Sequence, residues 1–138
     1  MIVIDTSALI AMSFGETSAS ELRSRLLSEP DRRMSAANVV EFGAVYAGRW
    51  KRDLALVRDR VWETLHSMGI AVVEVDEAQA KIALEARIRF GKGFGAKAKL
   101  NFGDSFAYAL AKSLNAPLLF VGDDFVHTDI TSALAANP

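Results

Sequence analysis

Short apolar runs alternate along the chain with longer stretches in which apolar residues recur at helical spacing. Three of these runs have the length and composition of buried strands and cover Ile2–Ile4, Ile70–Val75 and Leu118–Val121. A further short strand is predicted near Arg33–Ser35. Strands that alternate with helical segments are typical of parallel sheets, in which helices make the crossover connections. The pattern therefore predicts an α/β fold.

The predicted helices are bounded by residues that commonly start and stop helices. Their starts are expected near Ser18, Ala36, Leu54, Asp76 and Asn101. Ser18 and Glu21 form a capping-box pattern, and Ser35 is a candidate cap for the helix that follows it. Gly69 is suited to the end of one helix, and the glycines at 91, 93 and 95 interrupt another. These signals place each helix between two predicted strands or beside another helix.

Length and composition narrow the kinds of protein that the chain can be. Its 138 residues, 51% of them hydrophobic, predict one globular domain over residues 1–138. There is no cysteine and there are only two histidines, so a metal site would have to use oxygen ligands. No apolar stretch approaches the ~20 residues of a membrane span, and the start of the chain does not resemble a secretory signal. We therefore expect a cytoplasmic protein that does not cross a membrane.

Acidic residues stand where the predicted strands end and the predicted helices begin. They are Asp5, Glu41, Asp104, Asp123 and Asp124. Open parallel sheets bind ligands beyond the carboxyl ends of their strands, so we expect these carboxylates to meet at one edge. The helix dipole is expected to help keep Asp104 ionised. Each acid alone has a structural interpretation as a cap or turn residue, but together they predict a site for a hard cation such as Mg²⁺.

The charge distribution adds a basic segment beside this acidic set. Removing four of the acids, with one from the adjacent pair, from the formal charge of −1 leaves +3 for the remainder. The segment between Glu85 and Asp104 contains no acid and carries Arg87, Arg89, Lys92, Lys97 and Lys99. Lys92, Lys97 and Lys99 are candidates for binding the phosphates of a polyanion such as a nucleic acid, and Phe94 between them is a candidate for stacking on a base. A solvated lysine-rich loop is the alternative interpretation.

Four segments of the sequence resemble a known family. Val3–Leu9, Ser35–Glu41, Asn101–Ala111 and Leu118–Phe125 resemble PIN-domain proteins, and more closely the VapC toxins of bacterial toxin–antitoxin operons. The resemblance extends from Ile2 to about Ile130 and covers nearly the whole chain. It implies a three-layer fold in which helices flank a central, mainly parallel, twisted sheet of four to five strands.

The resemblance also implies an activity, a cofactor and partners. VapC-like proteins are expected to be Mg²⁺- or Mn²⁺-dependent endoribonucleases that a cognate VapB-like antitoxin inhibits, and to form homodimers. Asp5 and Asp104 match the principal metal-binding aspartates, and Glu41 matches the acid that completes the site. The fourth acid is Asp123 if the strand is aligned and Asp124 if the Asp-Phe pair is aligned, with a slight preference for Asp123.

Several neighbouring residues are given supporting roles by the same comparison. Thr6 and Ser7 match the polar residues after the first aspartate, where a hydroxyl can hold a carboxylate or a water. Val121 departs from the Thr or Lys that is common at its position. The apolar residues after Ser7 are either part of a groove for the antitoxin or part of the core; they are Leu9, Ile10, Met12 and Phe14.

Two other classes of protein remain as alternatives. A receiver-type phosphoacceptor domain also gathers acids around Mg²⁺, but it would place two acids after its first strand and a lysine late in the chain. A non-catalytic binding module could use the same acids only as helix caps. Loss of metal-dependent RNA cleavage on chelation would distinguish an enzyme from such a module.

Overall fold

The computed structural model describes residues 1–51 and 53–134. Within them, one sheet contains β1 (Ile2–Ile4), β2 (Arg32–Ser35), β3 (Ile70–Val73) and β4 (Leu118–Leu119). The strand order is β3-β2-β1-β4, and every neighbouring pair is parallel. The prediction of a parallel sheet of four to five strands is confirmed, with four strands in the described part of the chain.

Helices connect the strands and cover the sheet. They are α1 (Thr6–Ser13), α2 (Ala19–Leu27), α3 (Ala36–Trp50), α4 (Leu54–Ser67), α5 (Glu77–Phe90) and α6 (Phe102–Leu114). The sequence pattern predicted all of them except α1, which is buried along most of its length and therefore has no polar stripe to reveal its period. Among the described residues, no helix combines the length and apolarity needed to cross a membrane.

The alternation of side chains along β1 divides the core into two layers. Ile2 and Ile4 pack with the apolar residues of α1 to α4 on one face of the sheet. Val3 packs with residues of α5 and α6 on the other face. Successive side chains of a strand point to opposite faces, so a short apolar strand can contribute to both layers. This three-layer arrangement confirms the predicted fold class.

Two predicted strand ends are wrong by two residues each. β3 ends at Val73 instead of Val75 because its partner β2 ends at Ser35, which pairs with Val73. β4 ends at Leu119 instead of Val121 because its partner β1 ends at Ile4. The backbone N–H of Val121 donates instead to the hydroxyl of Ser7, 3.0 Å away. That hydrogen bond joins the end of β4 to the beginning of α1.

The predicted caps divide into those that form and those that do not. The side chains of Asp76 and Asn101 accept hydrogen bonds from the backbones of α5 and α6 as predicted. The capping box at Ser18 is wrong, because the Ser18 backbone is already helical and its side chain makes no cap bond. Ser35 has an extended backbone, yet its buried hydroxyl also makes no cap bond.

The apolar side chains of α1 belong to the core and do not form a groove. Leu9, Ile10 and Met12 are buried, so they offer no surface to an antitoxin in this arrangement. Phe14, at the end of α1, is partly buried and packs its ring 5.1 Å from that of Tyr46. The groove interpretation is therefore wrong for Leu9, Ile10 and Met12, whose apolar character serves packing beneath the sheet.

Candidate functional site

The predicted acids approach one another where the connections leave the sheet. Asp5 directly follows β1, Glu41 lies in α3 after β2, and Asp104 lies in the first turn of α6. α6 packs against β1, β2 and α3, so the helix that carries Asp104 touches the elements that carry Asp5 and Glu41. Asp123 and Asp124 lie in the turn region after β4, the strand that pairs with β1. The topology therefore brings Asp5, Glu41 and Asp124 near enough to Asp104 for their charges to raise its pKa.

Asp5 is a buried carboxylate with one satisfied and one unsatisfied oxygen. It is only 2% exposed and caps α1. Its Oδ2 accepts hydrogen bonds from the Ser7 backbone N–H at 2.9 Å and from the Ser7 hydroxyl at 2.5 Å. Its Oδ1 is buried and accepts no hydrogen bond from the described residues. Burial, with a smaller contribution from the charge of Glu41, raises the pKa of Asp5 to about 6 despite the Ser7 bonds.

The two hydroxyls after Asp5 have different partners. Ser7 holds the Asp5 carboxylate and, through the N–H of Val121, also holds the end of β4. The backbone of Val121 thus makes the polar contact at a position whose side chain is apolar. The Thr6 hydroxyl donates instead to the backbone carbonyl of Asn38 in α3, 3.3 Å away. Ser7 therefore orients a carboxylate, whereas Thr6 fixes α1 against α3.

Asp104 is held by a capping box and lies close to other negative charges. Its Oδ2 accepts the backbone N–H of Asn101 at 2.9 Å, and its own N–H donates to the Asn101 side chain at 2.9 Å. It is 6% exposed, and burial raises its pKa to about 7, with further increases from the charges of Asp5, Asp124 and Glu41. The expectation that the helix dipole would help keep Asp104 ionised is outweighed by burial and by these neighbouring charges.

Glu41 is placed against the first turn of α6 by two residues that sequence reasoning missed. The side-chain amide of Asn38 donates to Glu41 Oε1 at 3.3 Å and to the Gly103 carbonyl at 2.9 Å. A Cβ on Gly103 would overlap the Glu41 carboxylate, so a larger residue there would displace that carboxylate from its present position. The signals in the sequence are the i, i+3 spacing of Asn38 and Glu41, and a glycine directly before Asp104.

The adjacent acids after β4 differ in their relation to the rest of the site. Both side chains are exposed. Asp124 is among the charges that raise the pKa of Asp104, together with Asp5 and Glu41. Asp123 uses its backbone carbonyl to accept the N–H of Val126 at 3.2 Å, which closes the turn. The negative charge of Asp124 thus acts on Asp104.

The arrangement is suited to a small hard cation that keeps part of its water. Within residues 1–51 and 53–134, no three acidic or histidine side chains already form a cage around one point. Mg²⁺ does not need such a cage, because it usually binds one or two carboxylates and retains several waters. The unpartnered Oδ1 of Asp5 and the coupled carboxylate of Asp104 offer that kind of ligand set. The all-oxygen donor chemistry therefore fits Mg²⁺ or Mn²⁺.

The predicted basic segment leads directly into this site. Lys92, Lys97 and Lys99 are exposed on the connection between α5 and α6. The two arginines that precede them make local contacts: Arg87 donates to the Leu100 carbonyl, and Arg89 lies 4.6 Å from the ring centroid of Phe90. The lysines are thus the freer of the predicted cations.

Comparison with known proteins connects this fold and site to one family. The PIN domain family model matches residues 2–130. A VapC ribonuclease of Mycobacterium bovis is 44% identical over 131 residues, which are 95% of this chain and 98% of the relative. A VapC ribonuclease of Mycolicibacterium smegmatis is 42% identical over 130 residues, which are 94% of this chain and 98% of the relative.

Solved structures show the same fold at lower sequence identity. The sarcin-ricin loop cleaving toxin VapC20 of Mycobacterium tuberculosis has a TM-score of 0.74 at 16% identity, covering 95% of this chain and 97% of VapC20. A toxin-antitoxin complex from Klebsiella pneumoniae has a TM-score of 0.68 at 16% identity, covering 99% of this chain and 100% of that one. A receiver-type phosphoacceptor domain gains no support from these similarities. The chain belongs to the PIN-domain family and, within it, to the VapC ribonucleases.

Proposed function

We propose that this protein is the toxin of a VapBC-type toxin–antitoxin system and acts as a Mg²⁺- or Mn²⁺-dependent endoribonuclease. It would hydrolyse phosphodiester bonds of RNA, and a cognate VapB-like antitoxin would inhibit it. Relatives that are 44% and 42% identical over nearly the whole chain are named ribonucleases, which supports the reaction class. Because the proposed substrate is cellular RNA, we place the protein in the cytoplasm.

The proposal rests on two buried carboxylates whose ionised forms are disfavoured by their surroundings. The pKa values of Asp5 and Asp104 are raised to about 6 and about 7, so ionising both near neutral pH costs free energy. Asp5 Oδ1 also lacks a hydrogen-bond donor. A divalent cation would stabilise both ionised carboxylates and would supply a partner for Asp5 Oδ1. Residues that served only as helix caps would not need to carry a buried charge.

The protein groups can be assigned roles in hydrolysis from their contacts. A bound divalent cation supplies a nucleophilic water at neutral pH and neutralises developing charge on the phosphate. Asp5 and Asp104 would hold the cation, with Ser7 and Asn101 keeping the two carboxylates oriented. Glu41, which accepts a hydrogen bond from Asn38, would orient water or accept its proton.

The charge environment of Asp104 leads us to propose Asp124 as the fourth acid. The charge of Asp124 raises the pKa of Asp104. Asp123 instead accepts a backbone hydrogen bond within the turn. This assignment replaces the slight preference for Asp123 that follows from aligning the strand. Asp124 would hold a second ion or a water beside the phosphate.

Partners follow from the same family membership. We propose a homodimer in addition to the antitoxin complex. Val40 of α3 and Phe102 of α6 are 74% and 73% exposed, on helices that contact each other beside the acidic site. Large exposed apolar side chains of this kind favour association with another protein surface. A solution mass of twice 15.0 kDa by light scattering would support the dimer.

The proposal is tested by RNA cleavage with purified protein and by sequencing the 5′ ends of cellular RNA after its induction without the antitoxin. We expect cleavage with Mg²⁺ or Mn²⁺, none with a chelator, and loss of at least about 100-fold in Asp104→Asn. Adding the cognate antitoxin should suppress the activity. RNA binding without cleavage under every metal condition would instead favour the non-catalytic module.

A further inference from the structure

We propose that the loop Gly91–Leu100 recognises unpaired RNA, with the ring of Phe94 stacking on an exposed base. This inference rests on the proposed nuclease function and concerns the residues that hold its substrate. It assigns the contact with an unpaired nucleotide to one exposed ring, Phe94, and to the lysines of the same loop. The argument depends on the way this loop is anchored, on the exposure of its aromatic ring and on its charge.

The loop is anchored at its base and raised at its tip. Gly91 and Leu100 form a β-bridge, the Lys92 N–H donates to the Leu100 carbonyl at 3.0 Å, and the Leu100 N–H donates to the Phe90 carbonyl at 3.0 Å. Ala98 and Leu100 are buried and hold the returning segment of the loop against the core. These contacts fix the ends of the loop while leaving its central residues outside the packed layer.

Phe94 is exposed at the tip although its chemistry favours burial. Its side chain is 58% exposed, and its N–H donates to the Gly91 carbonyl at 3.3 Å. Gly93 and Gly95 on either side have φ values of +93° and +82°, a backbone conformation that side chains disfavour. The two glycines thus shape a turn that presents the ring to solvent. Core packing does not explain a phenylalanine at this position.

The ring already has one cationic neighbour. The Arg87 guanidinium lies 5.9 Å from the centroid of the Phe94 ring and also donates to the Leu100 carbonyl. It is therefore tied to the base of the loop and supports the ring from the protein side. A base stacking on the exposed part of the ring would complete an arrangement that single-strand-binding proteins use without sequence preference.

The lysines of the loop provide the electrostatic part of such a site. Lys92, Lys97 and Lys99 are exposed, and none of them forms an ion pair with a residue that the structure describes. Three cations without an ion pair lie in the same loop as an exposed aromatic ring. Backbone neutralisation and base stacking together are what holds single strands. Solvation alone would explain the lysines of this loop, but it would not explain the exposed ring of Phe94.

The loop is also connected to the acidic site. Leu100, at its base, is followed by Asn101, whose side chain and backbone hold Asp104. The base of the loop is therefore continuous in sequence with the residues that hold Asp104. Both faces of a base are covered in a continuous duplex, so only an unpaired nucleotide can stack in this way.

Binding is measured in the full-length Asp104→Asn protein, so that cleavage does not remove the RNA. The probes are a short fluorescently labelled single-stranded RNA of mixed sequence and the same strand in a perfect duplex. We expect Phe94→Ala to weaken single-strand binding about tenfold or more and Phe94→Trp to retain it. The new tryptophan should lose fluorescence when the single strand binds.

Two control variants separate stacking from a general effect of the substitutions. Trp62, on α4, is also an exposed aromatic, at 45%, and Trp62→Ala should leave binding unchanged. Lys81 is paired with Glu77 at 2.6 Å, so Lys81→Ala should change binding less than Lys97→Ala. Circular dichroism confirms that each variant is folded, and Phe94→Leu replaces Phe94→Ala should the latter unfold.

The outcomes distinguish this inference from the nuclease proposal. Single-strand binding within twofold of the parent in Phe94→Ala, or equal binding of duplex, overturns the loop assignment while metal-dependent cleavage by the wild type leaves the nuclease standing. A wild type that never cleaves, combined with Phe94-dependent single-strand binding, overturns the nuclease and keeps the loop. A protein that binds no single strand at all overturns the loop assignment.

Discussion

Ser7 shows how a single side chain can serve the site and the sheet together. Its hydroxyl donates to Asp5 Oδ2 at 2.5 Å and accepts the Val121 N–H at 3.0 Å. The first bond favours the ionised form of Asp5 and so limits the rise in its pKa. The second satisfies a backbone donor just beyond β4. One hydroxyl thus couples the charge of the site to the packing of the edge strand.

Replacing Ser7 by alanine should therefore destabilise the protein and disturb the site. Ser7→Ala leaves the Val121 N–H without its acceptor, and we expect a loss of about 1–3 kcal/mol in the free energy of unfolding, measured by urea denaturation. The pKa of Asp5 should rise further. Ser20 is exposed on α2, so Ser20→Ala should stay within about 0.5 kcal/mol of the wild type. Equal midpoints for both variants would contradict this account.

Sequence reasoning reached some of these residues and not others, for a physical reason. Asp5 and Asp104 could be proposed because each sits at a local boundary, one after an apolar strand and one at a capped helix start. Asn38 and Gly103 could not, because their roles arise only where α3 meets α6. Local signals identify caps and strand ends, whereas contacts between distant elements become visible only in the folded chain.

The same division appears among the helices. α5 and α6 were predicted from their caps, which the structure confirms, and from apolar residues at helical spacing. α1 was not predicted, because it is buried on most sides and lacks polar residues at helical spacing. From sequence alone the segment after Asp5 has two interpretations, a surface for a partner and part of the core. Burial shows that most of its apolar residues belong to the core. Amphipathic elements are readable from sequence, and fully buried ones much less so.

The contact between α3 and α6 supports a prediction at the level of elements. Gly103→Ala would place a Cβ 1.7 Å from Glu41 Oε2, so the flexible end of Glu41 must move away. Since alanine also favours the helix, we expect the fold to survive while the rate of RNA cleavage falls about tenfold or more. Thermal unfolding and cleavage are measured on the same preparation.

A second glycine provides the matched control for this prediction. Gly48, within α3, has nothing within 4 Å of the position that a Cβ would take. Gly48→Ala should therefore raise stability by about 0.5–1 kcal/mol and leave cleavage unchanged. If both variants retained full activity, the close fit of Glu41 against α6 would have no role in catalysis.

At the scale of the whole molecule, the parallel sheet determines where charge accumulates. The apolar part of β1 anchors both core layers, and the chain that leaves it places Asp5 in a buried position. α6 packs across the sheet and carries Asp104 to the same region. The fold thus holds two carboxylates out of water, and their ionisation opposes the stability of the metal-free protein.

The stability of the metal-free protein should therefore fall as pH rises. In the folded state the pKa values of Asp5 and Asp104 are about 6 and about 7, above the ordinary value of 3.8, so the folded chain binds more protons than the unfolded chain between about pH 4 and 7. With a chelator present, Asp104→Asn should exceed the wild type in unfolding free energy by on the order of 1–3 kcal/mol at pH 8, and the gap should shrink towards pH 4. Comparing the two proteins at each pH cancels the titration of shared groups. Mg²⁺ should reverse the order by stabilising only the wild type, and equal melting curves at pH 8 with and without Mg²⁺ would contradict a buried charged site.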